Sequence, residues 1–229
     1  LPVTAPRLAE MMLELQAQGA LNVNLVTPLH FAPHVREAVL LARGAGLEVP
    51  VVCNTSGYEL PEVVRALADV VDVWLTDFKY ASPALAAELS RARDYPSLAA
   101  ASRAAGGRAC APDGAMRRGV VVRHLVLPEH VDDSCAVLDR VWDIAGNDVD
   151  LSVMNQYTPN EACRRAGGAL ARGVTDEEYE LVLCHADDLG FERIWWQEGG
   201  TVSESFVPAF DATGVEGPEL GAAGAAPEV

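Results

Sequence analysis

The chain has 229 residues, half of them hydrophobic, and its net charge is −16 at pH 7. This length and composition suffice for one domain with a sizeable core, and no stretch is long and apolar enough to span a bilayer. The negative charge argues against nucleic acid as a partner, because phosphate binding needs a basic surface. With no secretion signal ahead of Leu1, we expect a cytoplasmic enzyme without a membrane or nucleic-acid partner.

Amphipathic helical segments alternate along the chain with strand-like apolar runs, and each run ends in polar residues. The helical segments are Ala5 to Gln18, Ala32 to Ala45, a segment that begins at Pro61, and Asp132 to Ile144. The apolar runs are Leu21 to Pro28, Val49 to Tyr58, Val70 to Lys79, Val120 to Pro128 and Val149 to Tyr157. This alternation is typical of right-handed βαβ units and a parallel sheet, so we predict an α/β fold, a partial TIM-like barrel. Its chemistry should lie at the carboxyl ends of the strands.

Residues 80–119 break the alternation. Ser90 to Pro96 is predicted to be a turn, Ser97 to Ala105 a helix, and Gly106 to Gly114 a loop, which together make an elaborated βα connection. Residues 1–210 are predicted to form the barrel domain. Residues 211–229 are predicted to be a disordered, acidic tail rich in Gly, Ala and Pro.

Asp77 and Lys79 are the sharpest candidates for ligand binding. Because side chains alternate along a strand, the carboxylate and the ammonium share one face at the end of an apolar run. Burying two charges is costly unless they bind each other or a ligand. The alternative is a solvated ion pair at the end of a strand.

Arg123 and His124 interrupt a later apolar run and must point to opposite faces. A guanidinium in the mouth of a barrel is a good partner for a carboxylate, so Arg123 is the first choice for ligand contact and His124 the second. His124 can equally be a satisfied core histidine.

The three remaining strand ends carry small polar groups that suit a ligand. Each also has a structural interpretation: a turn closed by proline, a cap between strand and helix, or an amide pair that bonds loop backbone. The candidate ligand-binding residues at these ends are Thr27, Pro28, His30, Asn54, Thr55, Ser56, Asn155 and Gln156.

In order, the five strand ends resemble the radical S-adenosylmethionine (radical SAM) proteins related to pyruvate formate-lyase activating enzyme. The matching segments are Gly19 to His30, Cys53 to Tyr58, Asp77 to Tyr80, Arg123 to Pro128 and Met154 to Pro159, and the resemblance covers Leu1 to Gln197. It implies a partial barrel and a [4Fe-4S] cluster that cleaves S-adenosylmethionine to a 5′-deoxyadenosyl radical. It also implies that Thr27 to His30 meets the amino group of S-adenosylmethionine, and that Asp77 and Lys79 contact its ribose and carboxylate. The substrate would be a protein, such as a glycyl radical enzyme, or a small molecule.

The chain departs from this family in its cysteines. Family members hold the cluster in a C-x-x-x-C-x-x-C loop, and none occurs here; the cysteines are Cys53, Cys110, Cys135, Cys163 and Cys184. We therefore expect an N-terminally truncated copy, whose first strand and cluster loop are missing. We predict reduced thiols, no metal site and no activity for this chain alone.

A second class of function stays open. The chain can instead be a cluster-free barrel enzyme or metabolite-binding module in which Asp77, Lys79 and Arg123 serve a phosphate or carboxylate ligand. The sequence identifies neither the substrate nor a catalytic residue. Glu178 lies in an acidic helix start far along the chain, and Glu178→Ala is expected to leave ligand binding unchanged.

Overall fold

The computed structural model describes residues 2–101 and 108–197. The strands are β1 (Val23–Val26), β2 (Val51–Thr55), β3 (Val73–Asp77), β4 (Ala109–Cys110), β5 (Met116–Leu125), β6 (Asp150–Met154) and β7 (Ile194–Trp195). The α-helices are α1 (Ala5–Ala17), α2 (Ala32–Gly44), α3 (Pro61–Leu67), α4 (Pro83–Ser90), α5 (Tyr95–Ala101), α6 (Val131–Ala145), α7 (Glu161–Ala166) and α8 (Asp176–Leu189). Single 3-10 turns span Pro28–Phe31, Gly146–Asp148 and Ala169–Ala171.

The sheet has the order β1-β2-β3-β5-β6-β7, and each neighbouring pair in this order is parallel. Strand β4 is a short antiparallel partner of β5. One cavity, of about 570 Å³, is lined from the same face of all six parallel strands, so the sheet curves around it. The lining side chains include Asn24, Val52, Leu75, Val121, Ser152 and Trp195. These findings confirm the predicted α/β class with a partial, TIM-like barrel of parallel strands.

The hydrophobic core lies between the convex face of the sheet and the helices. Helix α6 buries Val137, Leu138 and Val141, while α1 packs on α2 and α6 packs on α8. Helix α8 begins with a capping box, in which Thr175 and Glu178 each satisfy the other's backbone N–H. Among the described residues, no helix has both the length and the apolarity that a membrane crossing requires.

The start of α6 lies one residue ahead of the predicted Asp132. The helix begins at Val131, and no side chain caps it. The Asp133 carboxylate instead accepts the backbone N–H groups of Ala81, at 3.1 Å, and Ser82, at 2.7 Å. It thereby ties the chain that leaves β3 to helix α6.

The segment between β3 and β5 is more regular than its sequence predicts. The predicted turn at Ser90 to Pro96 is wrong at both ends, since α4 extends to Ser90 and α5 begins at Tyr95. Pro96 is compatible with this start because the backbone N–H groups in the first turn of a helix have no partner within the helix, so proline loses no hydrogen bond there. The predicted loop at Gly106 to Gly114 contains β4, whose pairing extends β5 back to Met116. Residues 102–107, like residues 198–229 with the predicted tail, lie outside the described ranges.

Candidate functional site

A cavity of about 280 Å³ opens at the carboxyl ends of β3, β5 and β6, and we call it the mouth. Three charged side chains lie on one side of it, and apolar and aromatic side chains make up the rest. Its lining residues are Asp77, Lys79, Tyr80, Arg123, Leu125, Leu127, Met154 and Tyr157.

The Asp77 carboxylate lies between two cations in the mouth. Its Oδ1 is 2.6 Å from Arg123 Nη2, and its Oδ2 is 3.5 Å from Lys79 Nζ. Arg123 Nη2 also donates to Asn54 Oδ1 at 2.7 Å. These side chains are only partly exposed, Asp77 by 21% and Arg123 by 23%. Two cations against one carboxylate make the mouth locally positive in a protein of net charge −16, which favours an anionic ligand group.

Strand register explains why these residues meet. Asp77 and Arg123 are register partners at the ends of β3 and β5, and Phe78 N–H donates to Arg123 O one step further on. Arg123 Nε is buried and has no hydrogen-bond partner in the described part of the chain. An unsatisfied guanidinium N–H beside the mouth suits a ligand that brings a carboxylate or phosphate oxygen.

Of the three polar residues at the end of β2, Asn54 alone bonds to the charged group. Thr55 Oγ1 donates to Glu59 Oε2 at 2.7 Å, and Ser56 Oγ donates to Glu59 Oε1 at 3.2 Å, so these hydroxyls close the turn after the strand. Gly57 follows with φ +77°. A Cβ at Gly57 would lie 2.0 Å from Asp77 O, so glycine is required for the β2 turn to pack on the end of β3.

Thr27 and His30 lie beside a second cavity, of about 410 Å³, together with Ser56, Tyr58 and Glu59. Thr27 adopts a left-handed conformation, φ 49°, and its N–H donates to Asn54 O at 2.8 Å. A β-branched residue in that conformation is strained. The strain marks the point where the chain turns sharply out of β1. Asn54 thus links this second cavity to the mouth.

Four other candidates are less accessible to a ligand than the sequence predicts. Pro28 is buried. His124 is 1% exposed and points away from Arg123, and its Nδ1–H donates to Phe78 O at 2.8 Å. Burial lowers the pKa of His124, which keeps it neutral in the core. Asn155 is also buried, and Gln156 Oε1 accepts from Gln197 Nε2 at 3.3 Å.

Tyr95 belongs to the site although its sequence context does not reveal it. The residue is 3% exposed, and its hydroxyl lies 3.0 Å from the N–H of Lys79, 2.9 Å from Ser56 O and 3.0 Å from Asp77 O. Burial raises the pKa of Tyr95, so the phenol remains a hydrogen-bond donor. It comes from α5, in the segment that breaks the alternation, and no periodic pattern connects α5 to the end of β3.

The cysteines of the described ranges do not fit an iron–sulfur cluster. Within those ranges, no group of three or more His, Cys, Asp or Glu side chains is placed to hold a metal ion. Burial raises the pKa of the Cys53 thiol to about 12, whereas Cys110 and Cys184 are exposed on other elements. Cluster ligation needs thiolates that converge, and this arrangement supplies none.

No protein-family model matches the chain. Over 166 residues the chain is 27% identical to an uncharacterized protein of Methanocaldococcus jannaschii. This match covers 71% of the chain and 45% of the relative, so the chain spans less than half of the relative's length.

Among solved structures, a domain of pyruvate-formate lyase-activating enzyme from Bacteroides vulgatus is similar, with a TM-score of 0.51 and 9% sequence identity. The similarity covers 77% of this chain and 98% of that domain. At this level of identity the likeness concerns the fold alone.

Proposed function

We propose that this chain is the S-adenosylmethionine-binding part of a radical SAM protein related to pyruvate formate-lyase activating enzyme. The observation that carries the proposal is the charged group of Asp77, Lys79 and Arg123 in the mouth. It lies at the carboxyl ends of parallel strands, where α/β barrels place their ligands. The similar fold of a domain of that activating enzyme supports the choice of ligand.

Each pole of S-adenosylmethionine has a matching group in this arrangement. Lys79 and Arg123 would bind the carboxylate of the methionine part, and Asp77 would accept hydrogen bonds from the ribose hydroxyls. Thr27 and Ser56, in the second cavity, would accept from the ammonium. Leu125 and Met154 offer the apolar surface on which an adenine ring packs.

The chemistry of such a protein comes from the ligand, because S-adenosylmethionine supplies a 5′-deoxyadenosyl radical once a [4Fe-4S] cluster reduces it. Since the described cysteines do not fit a cluster, its ligands would lie elsewhere in the full-length protein. The role of this chain is to bind and orient S-adenosylmethionine, and the chain alone is inactive. The hydrogen donor would be a glycyl radical enzyme or a small molecule, in the cytoplasm.

A second candidate function is a cluster-free barrel that binds a phosphate or carboxylate ligand. The two cations of the mouth, Lys79 and Arg123, favour an anion of either kind. In that protein Asp77 would compete with the ligand for Arg123 and Lys79, so Asp77→Asn should increase the affinity for the anion. In an S-adenosylmethionine protein the same substitution removes a ribose contact and should decrease affinity.

The deciding experiment is calorimetry on the full-length gene product with S-adenosylmethionine and with inorganic phosphate. Binding of S-adenosylmethionine that Asp77→Asn weakens supports the first proposal. Binding of phosphate that Asp77→Asn strengthens, without binding of S-adenosylmethionine, overturns it in favour of the second.

A further inference from the structure

The backbone of Lys79 lies beyond the end of β3, and its N–H bonds to a side chain of helix α5. The β3–β5 ladder ends where Phe78 N–H donates to Arg123 O. The next N–H, that of Lys79, donates to the phenol oxygen of Tyr95 at 3.0 Å. Helix α5, and not the sheet, therefore holds the residue that bears the exposed cation of the mouth.

The same phenol also joins the ends of two strands. Its single hydroxyl proton is shared between Ser56 O, at 2.9 Å, and Asp77 O, at 3.0 Å, so it touches the turn after β2 and the last residue of β3. The turn approaches this closely because Gly57 has no side chain; a Cβ there would lie 2.8 Å from the Tyr95 oxygen.

Aromatic packing holds the Tyr95 ring itself. Tyr58 stacks on it with ring centroids 5.9 Å apart, and Tyr80 meets it edge to face at 5.6 Å. Tyr58 OH in turn donates to Asp94 at 2.7 Å, next to Tyr95 in the chain. These contacts help to keep the ring, and with it the hydroxyl, in place.

From this geometry we infer that Tyr95 is a positioning residue that sets the affinity of the mouth for its ligand by holding the backbone of Lys79 and Asp77 in place. The inference rests on the proposed function, since it concerns the same ligand. In this role, helix α5 of the segment between β3 and β5 controls the geometry of the site without contacting the ligand. A displaced Lys79 backbone carries its ammonium away from Asp77 and from the ligand carboxylate, and shifts of this size weaken binding.

The anchoring can be tested without any ligand, because Lys79 is the sole lysine among the 17 lysine and arginine residues of the chain. Labelling with 15N-lysine therefore gives one backbone amide resonance, that of Lys79. In Tyr95→Phe we expect this resonance to move and its exchange with solvent to accelerate roughly tenfold or more, since the N–H loses its acceptor. Tyr179→Phe is the matched control: it removes another buried phenol that bonds to backbone, at Val153 and Gln197, and the Lys79 amide should stay as in the wild type.

The effect on affinity is measured by calorimetry with S-adenosylmethionine on the full-length gene product. We expect Tyr95→Phe to lose roughly three- to tenfold in affinity and Asp143→Asn, at an exposed position on α6, to lose none. In a double-mutant cycle, Tyr95→Phe should cost less affinity in Lys79→Ala than in the wild type, because one of the two groups that Tyr95 positions is already gone. A purely structural tyrosine would give additive losses.

The outcomes separate the two proposals. If Asp77→Asn and Lys79→Ala weaken binding while Tyr95→Phe binds as the wild type does, the positioning role is overturned and the proposed function stands. If no variant changes the affinity, the proposed function fails, and the 15N exchange of Lys79 alone decides whether Tyr95 anchors it. An unchanged amide in Tyr95→Phe overturns the inference in either case.

Discussion

Asp77 and Arg123 are register partners on adjacent parallel strands, and Arg123 Nη2 lies 2.6 Å from Asp77 Oδ1. Because both side chains point to the concave face, this ion pair is part of the sheet and does not depend on a loop. A ligand carboxylate that binds Arg123 must therefore share the guanidinium with Asp77. Among the described residues, the buried Nε of Arg123 has no hydrogen-bond partner.

The first prediction concerns the charged group of the mouth. Asp77→Asn and Lys79→Ala should each weaken the binding of S-adenosylmethionine by about 1–3 kcal/mol, the usual cost of removing one partner of a charged hydrogen bond. Calorimetry on the full-length gene product measures the loss. Asp143→Asn, an exposed position on α6, is the matched control and should bind as the wild type does. Equal affinities for all variants would mean that Asp77 and Lys79 are only a solvated ion pair.

The second prediction concerns the close contact between the β2 turn and β3. Gly57→Ala would place a Cβ 2.0 Å from Asp77 O at a φ of +77°, so it should destabilise the fold by about 2 kcal/mol or more. Gly114→Ala is the control, because Gly114 has a similar φ, +86°, with open space around it, and only the backbone strain remains. Urea unfolding of the two variants gives the difference. Similar losses for both would show that the contact with Asp77 O is unimportant.

The third prediction concerns iron. When the 229-residue chain is reconstituted anaerobically with iron and sulfide, we expect no stoichiometric [4Fe-4S] cluster and no reductive cleavage of S-adenosylmethionine. The reason is that the cysteines do not converge and the buried Cys53 thiol resists ionisation. Iron analysis and electron paramagnetic resonance measure the outcome. A reproducible cluster signal that disappears when Cys53 or Cys110 is replaced would contradict it.

The fourth prediction concerns Glu178, whose side chain is 16% exposed and bonds to neighbouring groups. Its carboxylate bonds to both terminal nitrogens of Arg172, at 2.7 and 2.8 Å, and accepts the N–H groups of Glu129 and Thr175. The hydrogen bond with Arg172 is the main cause that lowers the pKa of Glu178 to about 2. Substitutions there disturb the capping box of α8 and cannot serve as controls.

A lowered pKa predicts how the stability depends on pH. Ionised Glu178 stabilises the folded state above its ordinary pKa of 4.5, and this contribution is lost as the pH falls toward about 2. Near neutral pH, Glu178→Gln should cost about 1 kcal/mol, because solvent screens the partly exposed Arg172. Urea unfolding of wild type and variant between pH 7 and pH 2.5 should show the gap closing. A gap that does not change with pH would exclude the charge as its origin.

Periodicity in the sequence predicts the regular elements well. The helix predicted over Ala32 to Ala45 is observed at Ala32–Gly44, and the run at Val149 to Tyr157 contains β6. The pattern is less accurate between β3 and β5, where the helix predicted from Ser97 is observed as α5, from Tyr95, but the turn and the loop on either side are not observed as predicted. In this segment α5 and β4 are too short to give a clear periodic signal. Strand β4 is also stabilised by its pairing with β5, and local periodicity carries no information about such a pairing.

By itself, the sequence determines which residues stand at strand ends and which face of β3 and β5 they occupy, because the alternation of side chains along a strand is a local property. That is enough to place Asp77 and Lys79 on one face, and to place Arg123 and His124 on opposite faces with Arg123 as the first choice for ligand contact. Only the tertiary structure decides that Asn54 bonds to Arg123 and that Tyr95 holds the Lys79 backbone. These contacts join residues far apart in the chain, and their geometry depends on strand register and on the packing of α5, neither of which leaves a local signal.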